Sequence, residues 1–195
     1  MFLLVREYQK GIVLEGKVIL DETFYSVRTD EIATKPDGKK YRGLSRNRIC
    51  IGVACDGSHV FCVLEGYGKP SKGKTYDAFR DHIKPGSVLV HDKEKAHSTL
   101  VARLGLTSEA YPSATIKKLP GKENPLAKVN RIHFFLERFF YAHTSFKRDE
   151  IGNFIHLFSF VMNPPENKLE KVDILINLGL TCARKLRFRD YYSSN

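Results

Sequence analysis

Three oxygen-bearing side chains lie where they could hold divalent metal ions. Asp21 follows an apolar run in KVILDETF, Asp92 follows another in GSVLVHDKEKAH, and Asn130 lies near the start of an amphipathic helical pattern in KVNRIHFFLERFF. Carboxylate and amide oxygens are ligands that Mg²⁺ accepts in proteins, and pairs of such ions catalyse phosphoryl transfer. If folding brings the three segments together, they predict a metal-dependent phosphoryl-transfer site.

The two aspartates matter as a pair. Carboxylates on neighbouring strand ends repel each other, and a divalent cation relieves that repulsion. With two ions about 3.5–4 Å apart, one activates the attacking hydroxyl and the other stabilises the leaving oxygen. The alternative is that Asp21 and Asp92 are ordinary strand-end or helix-capping residues, and their positions in the sequence leave both interpretations open.

The helical segment offers two candidate ligands. Asn130 and Glu137 fall on one polar stripe, about 20° apart around the axis and about 10.5 Å apart along it. Only one of them can therefore reach a metal held by the aspartates. The alternatives are that Asn130 is the helix N-cap, a position that Asn favours, and that Glu137 is a solvated charge. The neighbouring apolar stripe comprises Val129, Ile132, Leu136, Phe139, Phe140 and His143.

These side chains can meet only if particular strands and a helix position them. Apolar runs predict strands at residues 18–21 and 87–91, each ending at or beside an aspartate, and a long helix at 129–143. Asp56-Gly57-Ser58 is a turn signal that predicts a hairpin between the apolar runs on either side. The other predicted elements are a short strand near 110–111 and helices at 75–83, 94–104 and 149–162.

This order of elements predicts an α/β fold with a mixed sheet flanked by helices. It is the order of the ribonuclease-H-like fold, in which the first strand is central and the strand after the first helix lies beside it. Asp21 and Asp92 are then neighbours. We predict a short lead-in at 1–17, a ribonuclease-H-like domain at 18–162, and a basic, partly helical C-terminal extension at 163–195.

Composition indicates the kind of partner. Lys and Arg number 32 against 22 Asp and Glu, for a net charge of +10, and this excess favours a polyanion such as nucleic acid. The four cysteines form no C-x-x-C pair, which predicts buried thiols, no zinc site and a cytoplasmic location. No apolar stretch approaches the ~20 residues of a membrane span, so we expect no membrane partner.

Two basic stretches are candidate nucleic-acid contacts, at residues 28–48 and 115–148. Neutralising phosphates with such side chains supplies much of the affinity for DNA. The alternative is that they are solvated, charged loops. The candidates are Lys39, Lys40, Arg42 and Arg46 in the first stretch, and Lys117, Lys118, Lys128, Arg131 and Arg138 in the second. His91 and His97, which flank Asp92, are expected to be structural.

The segments YRGLSRNRICIGVACDG, HIKPGSVLVHDKEKAH and KVNRIHFFLERFF resemble the catalytic domain of bacterial insertion-sequence transposases of the ISXO type, in the DDE superfamily. The resemblance covers residues 18–162. It implies that Asp21, Asp92 and Asn130 are catalytic and bind Mg²⁺, with Mn²⁺ as an alternative. It also implies metal-dependent cleavage and strand transfer on DNA, with element ends and target as partners and a homo-oligomer on the DNA. Asn130 matches the variant of the family with Asn in third place, and His133 matches the His that follows it.

The sequence departs from the family pattern in two ways. The Asn-type members commonly carry a Lys seven residues after the Asn, where this chain has Glu137, and Arg138 is the candidate substitute. These transposases also usually carry a DNA-recognition module ahead of the first Asp, and little sequence precedes Asp21 here. Two alternatives follow: a truncated, catalytically inactive DNA-binding remnant, and a nuclease of the same fold that cuts without joining.

Overall fold

A central five-stranded sheet organises the chain. The computed structural model describes residues 1–26, 34–41, 43, 45, 47–116, 118–143 and 149–181. The strands are β1 (Lys17–Tyr25), β2 (Ile49–Cys55), β3 (Val60–Tyr67), β4 (Val88–Asp92) and β5 (Thr107–Tyr111), and their order across the sheet is β3-β2-β1-β4-β5. β1 pairs antiparallel with β2 and parallel with β4. This is the ribonuclease-H-like sheet, so the predicted fold class is confirmed.

The helices cover both faces of this sheet. They are α1 (Phe2–Lys10), α2 (Lys72–Phe79), α3 (Ser98–Leu104), α4 (Ser113–Ile116), α5 (Ala127–Ala142), α6 (Ile151–Met162) and α7 (Lys168–Thr181), with a 3-10 turn over Lys95–His97. Among the described residues, no helix is long and apolar enough to cross a membrane.

Strand alternation divides the core into two layers. In β1, Ile19 packs with α5 and α6, whereas Leu20 packs with Phe79 of α2 and Leu100 of α3. Successive side chains of a strand point to opposite faces. Asp21 therefore projects on the face that carries α5, called here the α5 face. Glu22 projects on the other, the α2 face.

Local sequence signals explain several of the element boundaries. The predicted hairpin forms between β2 and β3, where Asp56 Oδ1 accepts the amide hydrogens of Ser58 and His59. Ser71 caps α2 through its side chain, and Gly105, at φ +60°, ends α3 in the left-handed conformation that glycine favours. Cys50, Cys55 and Cys62 are buried free thiols in β2 and β3, as expected.

The structure differs from the sequence-based expectation at the N-terminus. Residues predicted as a lead-in form α1, which buries Val5 and Gln9 and packs on α6 and α7. Between α1 and β1, Leu14 forms an isolated parallel bridge with Ile83. No side chain caps the start of α1. Its helical structure therefore depends on packing, which leaves little signal in the local sequence.

Candidate metal centre and nucleic-acid face

Parallel pairing of β1 with β4 brings the two predicted aspartates together. The register matches Leu20 with His91, so Asp21 and Asp92 are the next residues on adjacent parallel strands. Carboxylate oxygens of Asp21, Glu22 and Asp92 all lie within 4.8 Å of one another. Because β1 continues to Tyr25, Asp21 lies in mid-strand rather than at the predicted strand end, whereas Asp92 is the last residue of β4.

The electrostatics of the cluster favour a cation. Burial, together with the charges of Asp92 and Glu22, raises the pKa of Asp21 to about 7. A carboxyl group whose ionisation is opposed by neighbouring carboxylates gains stability from a bound divalent ion. The donors are hard oxygen ligands, and their close grouping fits the preference of Mg²⁺ for a few carboxylates plus water and phosphate.

Two histidines that the sequence analysis assigned to structure make direct contacts with this cluster. His97 Nε2 lies 2.8 Å from Glu22 Oε1, and His97 Nδ1 lies 3.9 Å from Asp92 Oδ1. The same Nδ1 lies 2.9 Å from Nδ1 of His91, whose Nε2 lies 2.9 Å from Ser108 Oγ. Donor atoms of His91, Asp92 and His97 also converge within 4.8 Å.

Glu22 itself was missed by the sequence analysis. Its side chain is 5% exposed and that of His97 is fully buried. Burial opposes the charge on His97, but the hydrogen bond to Glu22 and the nearby carboxylates outweigh it and raise the histidine pKa. The available signal was the Asp-Glu pair in a buried strand, because alternation must place one of the two acids on the interior side.

A second buried acid, Glu65, lies beside Glu22 on the α2 face. Thr75 Oγ1 donates a 2.8 Å hydrogen bond to Glu65 Oε2, while Glu65 Oε1 is buried without a partner among the described residues. Burial and the charge of Glu22 raise the pKa of Glu65 to about 7. Gly52, the β2 residue paired with Glu22, makes room for this side chain, since a Cβ there would collide with Glu65 Oε1.

Helix α5 lies along β1 in the same direction. At the start of α5, the charge of Lys128 is close enough to Cys55 to oppose the rise that burial causes in the pKa of that thiol. Cys55 in turn pairs with Ile19 of β1. His133, in mid-helix, is within hydrogen-bonding reach of the Asp21 backbone, and burial lowers the His133 pKa to about 4. Further on, the ring of Phe140 lies 4.6 Å from that of Tyr25 at the end of β1.

The two edges of α5 carry different side chains. Lys128, Arg131 and Phe135 line a cavity of about 320 Å³ against the turn between β2 and β3. At 100° per residue, Asn130 and Glu137 lie on the opposite side of the helix from this cavity. Both side chains are exposed. That Asn130 or Glu137 completes the site with Asp21 and Asp92 stays a prediction.

The position of Asn130 excludes one alternative. Its backbone amide donates to the carbonyl of Leu126, and α5 begins at Ala127. Asn130 is therefore inside the first helical turns rather than at the N-cap, so its side chain is not required for capping.

The exposed surface of α5 combines cations with aromatic rings. The guanidinium of Arg131 lies 5.5 Å from the ring centre of Phe135, and that of Arg138 lies 4.9 Å from the ring centre of Phe134. Phe134 is 52% exposed. We call Arg131, Phe134, Phe135 and Arg138 the basic-aromatic face.

The other predicted nucleic-acid contacts are scattered. Lys39, Lys40 and Lys118 are exposed, and Lys39 lies 3.6 Å from Asp37. Arg42, Arg46 and Lys117 lie outside the described residues. Among the predicted nucleic-acid contacts that the structure describes, Lys128, Arg131 and Arg138 lie on α5, the helix that also approaches Asp21.

Comparisons with known proteins find matches among solved structures. No family model matches the chain, and none of the curated proteins matches its sequence. A chain of the simian T-cell lymphotropic virus intasome in complex with PP2A regulatory subunit B56 gamma aligns over 91% of this chain and 52% of its own, at 12% identity and a TM-score of 0.43. A chain of the Mos1 mariner paired end complex with Mn aligns over 95% and 61%, at 12% identity and a TM-score of 0.42.

The Mos1 strand transfer complex also matches, over 95% of this chain and 60% of its own, at 14% identity and a TM-score of 0.36. The chain therefore spans between 52% and 61% of the length of these structures. At these scores the alignments add nothing to the fold assignment, which rests on the sheet order and register described above.

Proposed function

We propose that this chain is a DDE-type transposase catalytic domain of the Asp-Asp-Asn, ISXO-like kind, which cleaves and joins DNA strands. The observation that carries the proposal is the pairing of Asp21 with Asp92 on adjacent parallel strands, next to a helix that presents Asn130. The resemblance of the sequence motifs to ISXO-type transposases supports the same three residues.

In this proposal, Asp21 and Asp92 hold the metal ions, and Asn130 supplies a neutral carbonyl oxygen. When bound, Mg²⁺ or Mn²⁺ would activate the attacking hydroxyl and stabilise charge on the phosphate. The chain itself brings the aspartates together through the β1–β4 register and packs α5 against β1 through Val129, Ile132 and Leu136. Glu137 remains the competing third ligand, because it projects from the same edge of α5.

DNA is the proposed substrate, both as element end and as target. The basic-aromatic face offers guanidinium groups for phosphates and exposed rings for bases, and it lies on the same helix as Asn130. A homo-oligomer on the DNA is part of the proposal by analogy with the family alone.

The test is a nicking assay on supercoiled plasmid with Mg²⁺, Mn²⁺ or EDTA. We expect metal-dependent nicking by the wild type and none by Asp92→Ala, because removing one carboxylate dismantles the metal site. The matched control is Asp77→Ala, which removes an exposed aspartate of α2 that pairs with Arg80 and should nick like the wild type.

The outcome also separates the alternatives. Salt-sensitive DNA binding without nicking, unchanged by Asp92→Ala, would favour the inactive DNA-binding remnant. Nicking without joining of pre-cut ends in a strand-transfer assay would favour a nuclease of the same fold. Nicking that persists in Asp92→Ala would contradict the site assignment.

A further inference from the structure

A continuous chain of polar side chains lies behind the aspartate pair; its two histidines are buried and Ser108, at its outer end, is exposed. It runs from Ser108 on β5 through His91 on β4 and His97 on the 3-10 turn to Glu22 on β1, with successive contacts of 2.9, 2.9 and 2.8 Å. The chain thus connects three strands and the turn that follows Asp92.

The contacts restrict how each ring can lie. Two ring nitrogens 2.9 Å apart, Nδ1 of His97 and Nδ1 of His91, must share one hydrogen. Both rings are also bound at their other nitrogen, to Glu22 and to Ser108 respectively. Neither ring can rotate without breaking a buried hydrogen bond, and an unpaired buried polar group is costly.

His97 is the branch point of this chain. It is fully buried, bonds Glu22 on the α2 face, and places Nδ1 3.9 Å from Oδ1 of Asp92 on the α5 face. The single ring of His97 therefore contacts acids that project from both faces of the sheet. Ring groups that hold carboxylate ligands from behind commonly set the affinity of metal sites.

We propose that His97, held in place by His91 and Ser108, is a positioning residue that keeps the carboxylates of Glu22 and Asp92 in the arrangement that binds metal. This inference rests on the proposed function, since it concerns the same metal site. It assigns to His97 a role beyond packing: the ring sets the spacing of the acids contributed by β1 and β4.

The experiment measures Mn²⁺ affinity of the full chain by calorimetry and by the electron paramagnetic resonance signal of free Mn²⁺. His97→Leu should weaken binding by about 10–100-fold, the range seen when such supporting groups are removed. His97→Gln keeps a donor for Glu22 and should recover part of that loss. If His97 only supports folding, variants with equal thermal stability in EDTA should bind Mn²⁺ with equal affinity.

The matched control is His156→Gln. His156 is another histidine with a buried nitrogen, Nδ1, that lacks a partner among the described residues; it lies in α6, outside the polar chain, so its substitution should leave Mn²⁺ affinity unchanged. If His97→Leu does not fold, His91→Asn and Ser108→Ala test the outer part of the chain and should weaken binding several-fold.

The results distinguish this inference from the proposed function. Asp92→Ala should abolish Mn²⁺ binding, which tests the site itself. Wild-type affinity in the folded His97 variants, or in both outer variants if His97→Leu does not fold, would overturn the positioning role while leaving the site intact. Absence of Mn²⁺ binding by the wild type would overturn both proposals.

Discussion

Residues that are adjacent in β1 and in β4 lie on opposite faces of the sheet, in different environments. Asp21 and Asp92 project on the α5 face, where Asn130 is exposed to solvent. Glu22 and His91, each one residue away in the chain, project on the α2 face and are buried. One face carries partly exposed oxygen donors, and the other encloses polar groups that lie behind those donors.

This difference shows how a strand can serve a site twice. Side chains alternate between the two faces along β1 and β4. Each aspartate that could bind a ligand is therefore followed or preceded in its strand by a polar residue on the opposite face. Because the α2 face is closed by Phe79 and Leu100, polar groups there need internal partners. On the α5 face, Asp21 and Asp92 are only partly buried, which leaves their oxygens open to a ligand such as a metal ion.

The largest effect expected from this contrast concerns Glu65 on the α2 face. Its pKa of about 7 lies above the ordinary value of 4.5, so the folded state holds the proton more tightly than the unfolded state. The resulting stability is full below about pH 4.5 and is lost as the pH rises through 7. Glu65→Gln removes that loss and should stabilise the metal-free protein by about 2–3 kcal/mol at pH 8.

Urea unfolding in EDTA at pH 5 and pH 8 measures this change, and the gain should shrink towards pH 5. The difference from wild type also cancels the opposing contributions of His133 and His156, whose pKa values are lowered to about 4. The same substitution at an exposed residue of helix α5, Glu137→Gln, serves as the control and should change the free energy of unfolding by less than about 0.5 kcal/mol. Equal effects at the two positions would remove the contrast between the faces.

A smaller effect should sharpen the role of the α5 edge. Asn130→Ala should reduce metal-dependent nicking about tenfold, since one ligand oxygen is lost while both aspartates remain. Glu137→Ala should change the rate less than about twofold. Nicking rates at several Mn²⁺ concentrations measure both, and a larger loss in Glu137→Ala would make Glu137 the third ligand instead.

The smallest effect concerns the basic-aromatic face. Arg131→Ala should weaken DNA binding at every sequence and lower the dependence of log affinity on log salt by about 1, the contribution of one phosphate contact. Fluorescence anisotropy over about 50–200 mM salt, where the loss of phosphate contacts is pronounced, measures the slope. Arg103→Ala, on α3, is the matched control; an equal change there would assign the effect to net charge.

Much of the fold was predictable because its elements have local causes. Apolar runs marked β1 and β4, Asp56-Gly57-Ser58 marked the hairpin, and the helical stripe marked α5 to within two residues of Ala127. The helix α1 was not predictable from the same signals, because its stability comes from packing on α6 and α7.

The candidate site divides in the same way. Asp92 is the last residue of β4, and Asp21 follows the apolar residues that mark the first half of β1 in the sequence. Their meeting follows once the strand order and register are known. Glu65 was missed because nothing local distinguishes a buried acid from a solvated one, and for Glu22 the only local signal was the Asp-Glu pair after an apolar run. Their burial depends on which helices cover the α2 face.

By itself, the sequence determined the element order, the fold class, the basic character of the chain and the aspartates as candidate ligands, because hydrophobic periodicity and turn chemistry act over a few residues. Only the tertiary structure decided that β1 and β4 pair in the register that aligns Asp21 with Asp92. It also decided that His97 reaches Glu22 and Asp92 from behind. Those contacts join residues distant in the chain, and their geometry follows from sheet register and helix packing.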